Sequence, residues 1–123
     1  MSGILGIGID LCGIERMRKL ADDPRFLDRY FTEGERAYVR SKGQGAAQTL
    51  AGLFAAKEAV CKALGTGIAF SLRDIEVFHT ELGQPQIRLT GAALEKAAGG
   101  VLHVSITHEL DTAAAFVVWS TSN

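Results

Sequence analysis

At 123 residues the chain has room for one domain, which excludes a two-domain enzyme. Apolar residues make up 47% and charged residues 22%, a composition that buries a core rather than staying disordered. Thirteen Lys and Arg against fourteen Asp and Glu leave a net charge of -1, which argues against a general nucleic-acid binder. A domain of this size buries about two-thirds of the surface its unfolded chain exposes, so a sizeable site is expected to be completed by a second copy.

The first strand is expected at residues 4–11, ILGIGIDL, a compact apolar run closing near Asp10 and short enough to be buried. From Ile14 the period turns helical, with Ile14, Met17 and Ala21 on one face and Arg16, Arg18 and Lys19 elsewhere. Asp22, Asp23 and Pro24 interrupt it, and a short helical stretch follows over 25–31. Thr32 and Glu35 form a capping box for a helix reaching about Ser41. Between Arg16 and Lys42 eight basic residues face five acids, a local excess that reads either as a solvated surface or as a docking face for an acidic partner.

The longest helical signal covers 46–64, rich in Ala, Leu, Phe, Glu and Lys, with Gly65 placed to end it. Residues 74–79 and 86–89 read as a hairpin across the turn ELGQP, 90–98 as a small-residue helix, and 101–107 and 112–120 as two further strands. Short mixed elements without βαβ alternation point to a single α+β domain over 1–123, a largely antiparallel sheet packed with a long central helix. The apolar last strand suggests helices on one side and neighbouring subunits at an edge. Cys12 and Cys61 match no zinc or redox spacing. With no signal-like n-region and no membrane-length apolar run, the expectation is a soluble cytoplasmic protein without membrane partners.

The chain carries no GxxxxGKS/T, HExxH or GxSxG, and GIGIDL puts Leu11 where a third glycine would complete GxGxxG. What is left is Asp10, the set Lys57, Glu58 and Lys62 on the long helix, the turn Gly65-Thr66-Gly67, and Ser105 to His108. Taken singly, Asp10 can cap a turn, Glu58 and Lys62 can form a solvent-facing i,i+4 pair, and His108 can be structural. In combination, a carboxylate from a strand and one from a helix can hold Mg²⁺, which completes its shell with water and substrate phosphate. Flanking lysines would then balance phosphate charge.

Four ordered segments, GIGID with Arg16 following, FTEGE, FAAKEAVCKALGTGI and HVSITHE, together resemble the holo-acyl-carrier-protein synthase family, the small 4'-phosphopantetheinyl transferases. The resemblance implies Mg²⁺-dependent transfer of 4'-phosphopantetheine from coenzyme A to a serine of apo acyl carrier protein, in support of fatty acid biosynthesis. It implies catalytic roles for Asp10, Glu58 and Lys62, with Asp10 and Glu58 as the metal ligands. Coenzyme A would be held by Lys57, Lys62, Gly65, Thr66, Gly67 and His108. The carrier protein would dock on Arg16, Met17, Arg18, Arg25 and Phe26. It also implies a homotrimer with active sites between subunits. The serine proton goes either to Glu58 or to a water held at Asp10; the sequence leaves both open.

One position departs from the pattern. Many members carry arginine where this chain has Leu53, and a lost charge-assisted phosphate contact costs about 1.5 to 3 kcal/mol. Arg40 and Lys42 are the candidates to supply that charge. The alternative to an enzyme is a non-catalytic relative that binds carrier protein or coenzyme A.

Overall fold

The computed structural model describes residues 3–65 and 70–122. Strand β1 (Ile4–Gly13) passes directly into helix α1 (Ile14–Leu20), whose first amide, that of Ile14, donates to Asp111 O at 2.8 Å. β1 runs three residues beyond Asp10, because Leu11, Cys12 and Gly13 stay paired with Ala114, Ala113 and Thr112. Asp10 therefore stands inside the ladder, not at its end.

Helix α2 (Pro24–Tyr30) starts where Asp23 accepts hydrogen bonds from Arg25 N and Phe26 N, with proline at the first helical position. Helix α3 (Glu33–Arg40) has the expected capping box from Thr32 and Glu35. A 3-10 turn at Gly43–Gly45 leads into α4 (Ala46–Leu64), which ends at Gly65 in the left-handed conformation, φ 80°. α4 is buried on nearly every side, as its almost continuous apolar sequence requires. The remaining elements are a 3-10 turn at Leu72–Asp74, the hairpin β2 (Ile75–His79) and β3 (Pro85–Leu89), helix α5 (Gly91–Ala97), and strands β4 (Val101–Glu109) and β5 (Thr112–Ser120).

β1, β5 and β4 form an antiparallel sheet in that order, with β2 and β3 as a separate two-stranded sheet. The cross-strand partners Gly8↔Val117, Asp10↔Ala115 and Cys12↔Ala113 put these residues on the face that α4 covers. Leu50, Ala51, Ala55, Ala56, Ala59, Val60 and Val117 have no accessible surface there. The opposite face is bare. Ile7, Ile9 and Leu11 are 60 to 67% exposed and Phe116 is 43% exposed, so β1 is not the buried strand its apolar run suggested. The exposed apolar residues also lie on a sheet face, whereas the sequence pointed to an edge. The inner face of this edge strand carries only Gly6, Gly8, Asp10 and Cys12, so its large apolar side chains all stand on the outer face.

Candidate active site

Asp10 points from β1 toward α4, which presents Glu58 and, one turn later, Lys62. The Lys62 ammonium reaches over the free edge of β1, donating to Asp10 Oδ1 at 2.7 Å and to Ile9 O at 3.0 Å. Its ion-pair partner is thus Asp10 on the strand, not Glu58 on its own helix. The Asp10 side chain is 14% exposed and that of Lys62 53%. The hydrogen bond to Asp10 raises the Lys62 pKa, so the ammonium is charged throughout the neutral range.

Burial, and next the Asp10 charge, raise the Glu58 pKa, while Arg16 and Lys62 pull it back. An acid with a raised folded pKa contributes nothing below its unfolded value and destabilises the fold once ionised above the folded one. Glu58→Gln is therefore expected to raise the melting temperature at neutral pH in the absence of divalent cations, with the gain fading as the pH falls through the Glu58 pKa. A melting temperature lowered at neutral pH would contradict this.

Two close carboxylates from adjoining elements fit a hard divalent cation, which takes oxygen ligands and relieves their repulsion. Among the described residues no group of three or more His, Cys, Asp and Glu gathers as a metal cluster. A cation here would take Asp10 and Glu58 and complete its shell with water and phosphate oxygens.

Lys57 corrects the sequence reading. It has no accessible surface and cannot touch a coenzyme. Its Nζ spends all three protons internally, on Glu35 Oε1 at 2.7 Å, Leu72 O at 2.8 Å and Ile75 O at 2.6 Å. Glu35 in turn accepts from Thr32 N at 2.9 Å and Val77 N at 2.8 Å. Burial pushes the Glu35 acid up and the Lys57 ammonium down, and their mutual contact opposes both shifts. The capping box was legible in the sequence; the further duty of Glu35 as a buried counter-ion was not.

His108 lies on β4, across β5 from β1, and its Nε2 is 3.0 Å from Gln48 Nε2 near the start of α4. Gln48 precedes Glu58 by ten residues of α4, about 15 Å along its axis, with His108 on the β4 side of the helix and Asp10 on the β1 side, so His108 stands apart from the carboxylates. His108 instead lines a cleft of about 450 Å³ with Tyr38, Lys42, Gln48, Leu53 and His79. Tyr38 and His79 stack at 4.0 Å, interplanar angle 9°, and Lys42 Nζ sits 4.6 Å from the Tyr38 ring centre. Burial, then Lys42, lower the His79 pKa. Leu53, 2% exposed, gives the cleft an apolar wall. Of the two cations named to replace an arginine there, Lys42 lines the cleft. Tyr38, His79 and Gln48 were missed because only the tertiary fold brings α3, β2, α4 and β4 together. Gly65 ends α4 as expected; Thr66 and Gly67 lie outside the described residues.

Of the residues expected to dock a carrier, Arg16, Arg18 and Arg25 are exposed. Arg16 lies over the Phe54 ring at 5.5 Å and Arg18 is paired with Glu15 at 3.1 Å. Met17 has no accessible surface, so it cannot contact a partner. The helical period had already put it beside Ile14, facing inward. Phe26 is half-buried, within 5.2 to 5.9 Å of the Tyr30, Phe31 and Phe54 rings, and offers at most an edge.

Residues 6–119 match the family model of the 4'-phosphopantetheinyl transferase superfamily. The holo-acyl-carrier-protein synthase of Treponema denticola is 49% identical, covering 94% of this chain and 97% of its own length, and that of Myxococcus xanthus is 43% identical over 94% of each. Among solved structures, the Bacillus anthracis holo-acyl-carrier-protein synthase in complex with CoA (3',5'-ADP) superimposes with a TM-score of 0.83 at 38% identity, covering 97% of this chain and 98% of that one. The Helicobacter pylori synthase in complex with coenzyme A gives 0.82 at 32% identity, covering 92% and 98%. With a matching family model, relatives along nearly the whole length and the same α+β fold, the chain belongs to the holo-acyl-carrier-protein synthase family of 4'-phosphopantetheinyl transferases.

Proposed function

We propose that the chain transfers 4'-phosphopantetheine from coenzyme A to a serine hydroxyl of an apo acyl carrier protein, releasing adenosine 3',5'-bisphosphate, with Mg²⁺ held by Asp10 and Glu58. The observation that carries this reading is the meeting of an Asp10 carboxylate, a Glu58 carboxylate and a Lys62 ammonium where β1 and α4 join. Bound there, Mg²⁺ would neutralise pyrophosphate charge. Asp10 and Glu58 fix where the phosphates lie, and Lys62, charged and half exposed, faces the charge that develops on the leaving group. Phosphoryl transfer asks for little beyond such positioning. Glu58, more basic than an ordinary glutamate, is one candidate to accept the serine proton; a water held at Asp10 is the other.

The cleft containing Tyr38, Lys42 and His108 suits the nucleotide end of coenzyme A, with ring faces and a cation for a base and a phosphate. Its separation from Asp10 along α4 supports a homotrimer in which one copy supplies the cleft and the next the carboxylates. The bare apolar face of Ile7, Ile9, Leu11 and Phe116 supports the same assembly. The reading extends to a cytoplasmic enzyme serving fatty acid biosynthesis. No helix among the described residues is long and apolar enough to cross a membrane.

Arg16, Arg18 and Arg25 are the proposed receivers of an acidic carrier. Arg16→Glu is expected to raise the KM for carrier severalfold while that for coenzyme A changes little, with the difference shrinking at high salt. An unchanged carrier KM would remove Arg16 from the docking face.

Intact-mass spectrometry of an apo acyl carrier protein incubated with this protein, coenzyme A and Mg²⁺ tests the reaction itself. A gain of one phosphopantetheine mass, suppressed by EDTA, is the expected result. No gain across several carriers with folded protein would leave a non-catalytic relative.

A further inference from the structure

Gly6 and Gly8 of β1 lie against a helix backbone. A Cβ on Gly8 would overlap the Ala59 carbonyl oxygen and lie 2.8 Å from Ala63 N, and one on Gly6 would overlap the Ala63 carbonyl oxygen. Neither oxygen belongs to a side chain that can swing away. β1 and α4 therefore meet backbone to backbone at two successive rungs, Gly6 with Ala63 and Gly8 with Ala59.

The rungs keep step because four helical residues rise about 6 Å and two strand residues about 6.6 Å. Gly6, Gly8 and Asp10 share one face of β1, so Asp10 is the next position along the same line. Ala59 is covalently next to Glu58, and Ala63 next to Lys62. Each rung thus lies one residue from a group that faces Asp10.

We infer that Gly6 and Gly8 are positioning residues: their contacts with α4 set the distance between Asp10 and Glu58, and so the span available to a divalent cation. This rests on the proposed cation role of those carboxylates. A methyl group at position 8 forces strand and helix apart, and a carboxylate one methylene longer at position 10 closes the gap again. In the native spacing that longer carboxylate overshoots.

Mn²⁺ binding, followed by electron paramagnetic resonance with and without coenzyme A and paired with thermal melts, tests this. Gly8→Ala is expected to weaken Mn²⁺ binding about 10- to 100-fold, Asp10→Glu to weaken it in the native background, and the Gly8→Ala/Asp10→Glu double variant to bind at least about tenfold more tightly than Gly8→Ala, the reversal that coupled neighbours produce. A purely structural glycine would lower the melting temperature without that rescue. Native-like binding by Gly8→Ala, or a double variant no better than Gly8→Ala, overturns the inference. Should Gly8→Ala not fold, Asp10→Glu decides alone: weakened binding upholds a fixed spacing, and native-like binding refutes it. No Mn²⁺ binding by the native protein under either condition overturns the cation pair itself, and the positioning role with it.

Discussion

Lys57→Met is expected to cost the fold about 3 to 5 kcal/mol, the loss found when one partner of a buried ion pair is removed. Against a typical domain stability of about 5 to 15 kcal/mol, this is a large fraction of the whole. Methionine fills much of the same volume, so the loss does not come from a void. It comes from Glu35, left buried without its counter-ion, and from Leu72 O and Ile75 O, each deprived of its Nζ donor. Adding Glu35→Gln should recover part of the loss, because an amide oxygen can still accept from Val77 N without carrying charge. Urea unfolding of the native protein and both variants measures this directly. A loss below about 1 kcal/mol for Lys57→Met would mean that the pair costs as much to desolvate as its contacts return.

The largest effect on activity is expected from the carboxylates. Asp10→Asn and Glu58→Gln should each lower the rate of carrier modification by about three orders of magnitude, since several kcal/mol of charge stabilisation depend on the cation they would hold and each 1.36 kcal/mol or so is a factor of ten. Neither change removes appreciable volume, so circular dichroism should stay native. Glu58→Gln should gain thermal stability as it loses activity, a site carrying strain for the sake of function. Single-turnover assays with saturating coenzyme A separate this from weakened substrate binding. A variant keeping a tenth of native activity would not be missing a metal ligand.

Most elements could be read in the chain because local signals agreed with the tertiary outcome. The alanine-rich run closed by Gly65 gave α4, and the Thr32 and Glu35 box gave α3. β1 was cut short because an aspartate after an apolar run looks like a terminus, whereas pairing of Cys12 with Ala113 carries the strand onward. Asp10, Glu58 and Lys62 were legible only in combination: a strand carboxylate paired with a helix carboxylate suggested a cation, and the resemblance to a family then assigned the roles. Lys57 was misplaced because its neighbours in sequence are those of the site while its partner Glu35 comes from another helix. Leu53 could be flagged as a departure, but only the folded cleft shows what stands beside it.

β1 also has a divided allegiance. Toward its own helix it offers two glycines, one acid and the small Cys12, so it is held there largely by main chain and by a single lysine; its large side chains all face the other way. In the proposed trimer, whatever copy covers Ile7, Ile9 and Leu11 contributes much of the apolar burial that keeps the strand in place. Dilution would then act as an inhibitor: as copies separate, Asp10 loses its footing before the rest of the fold notices.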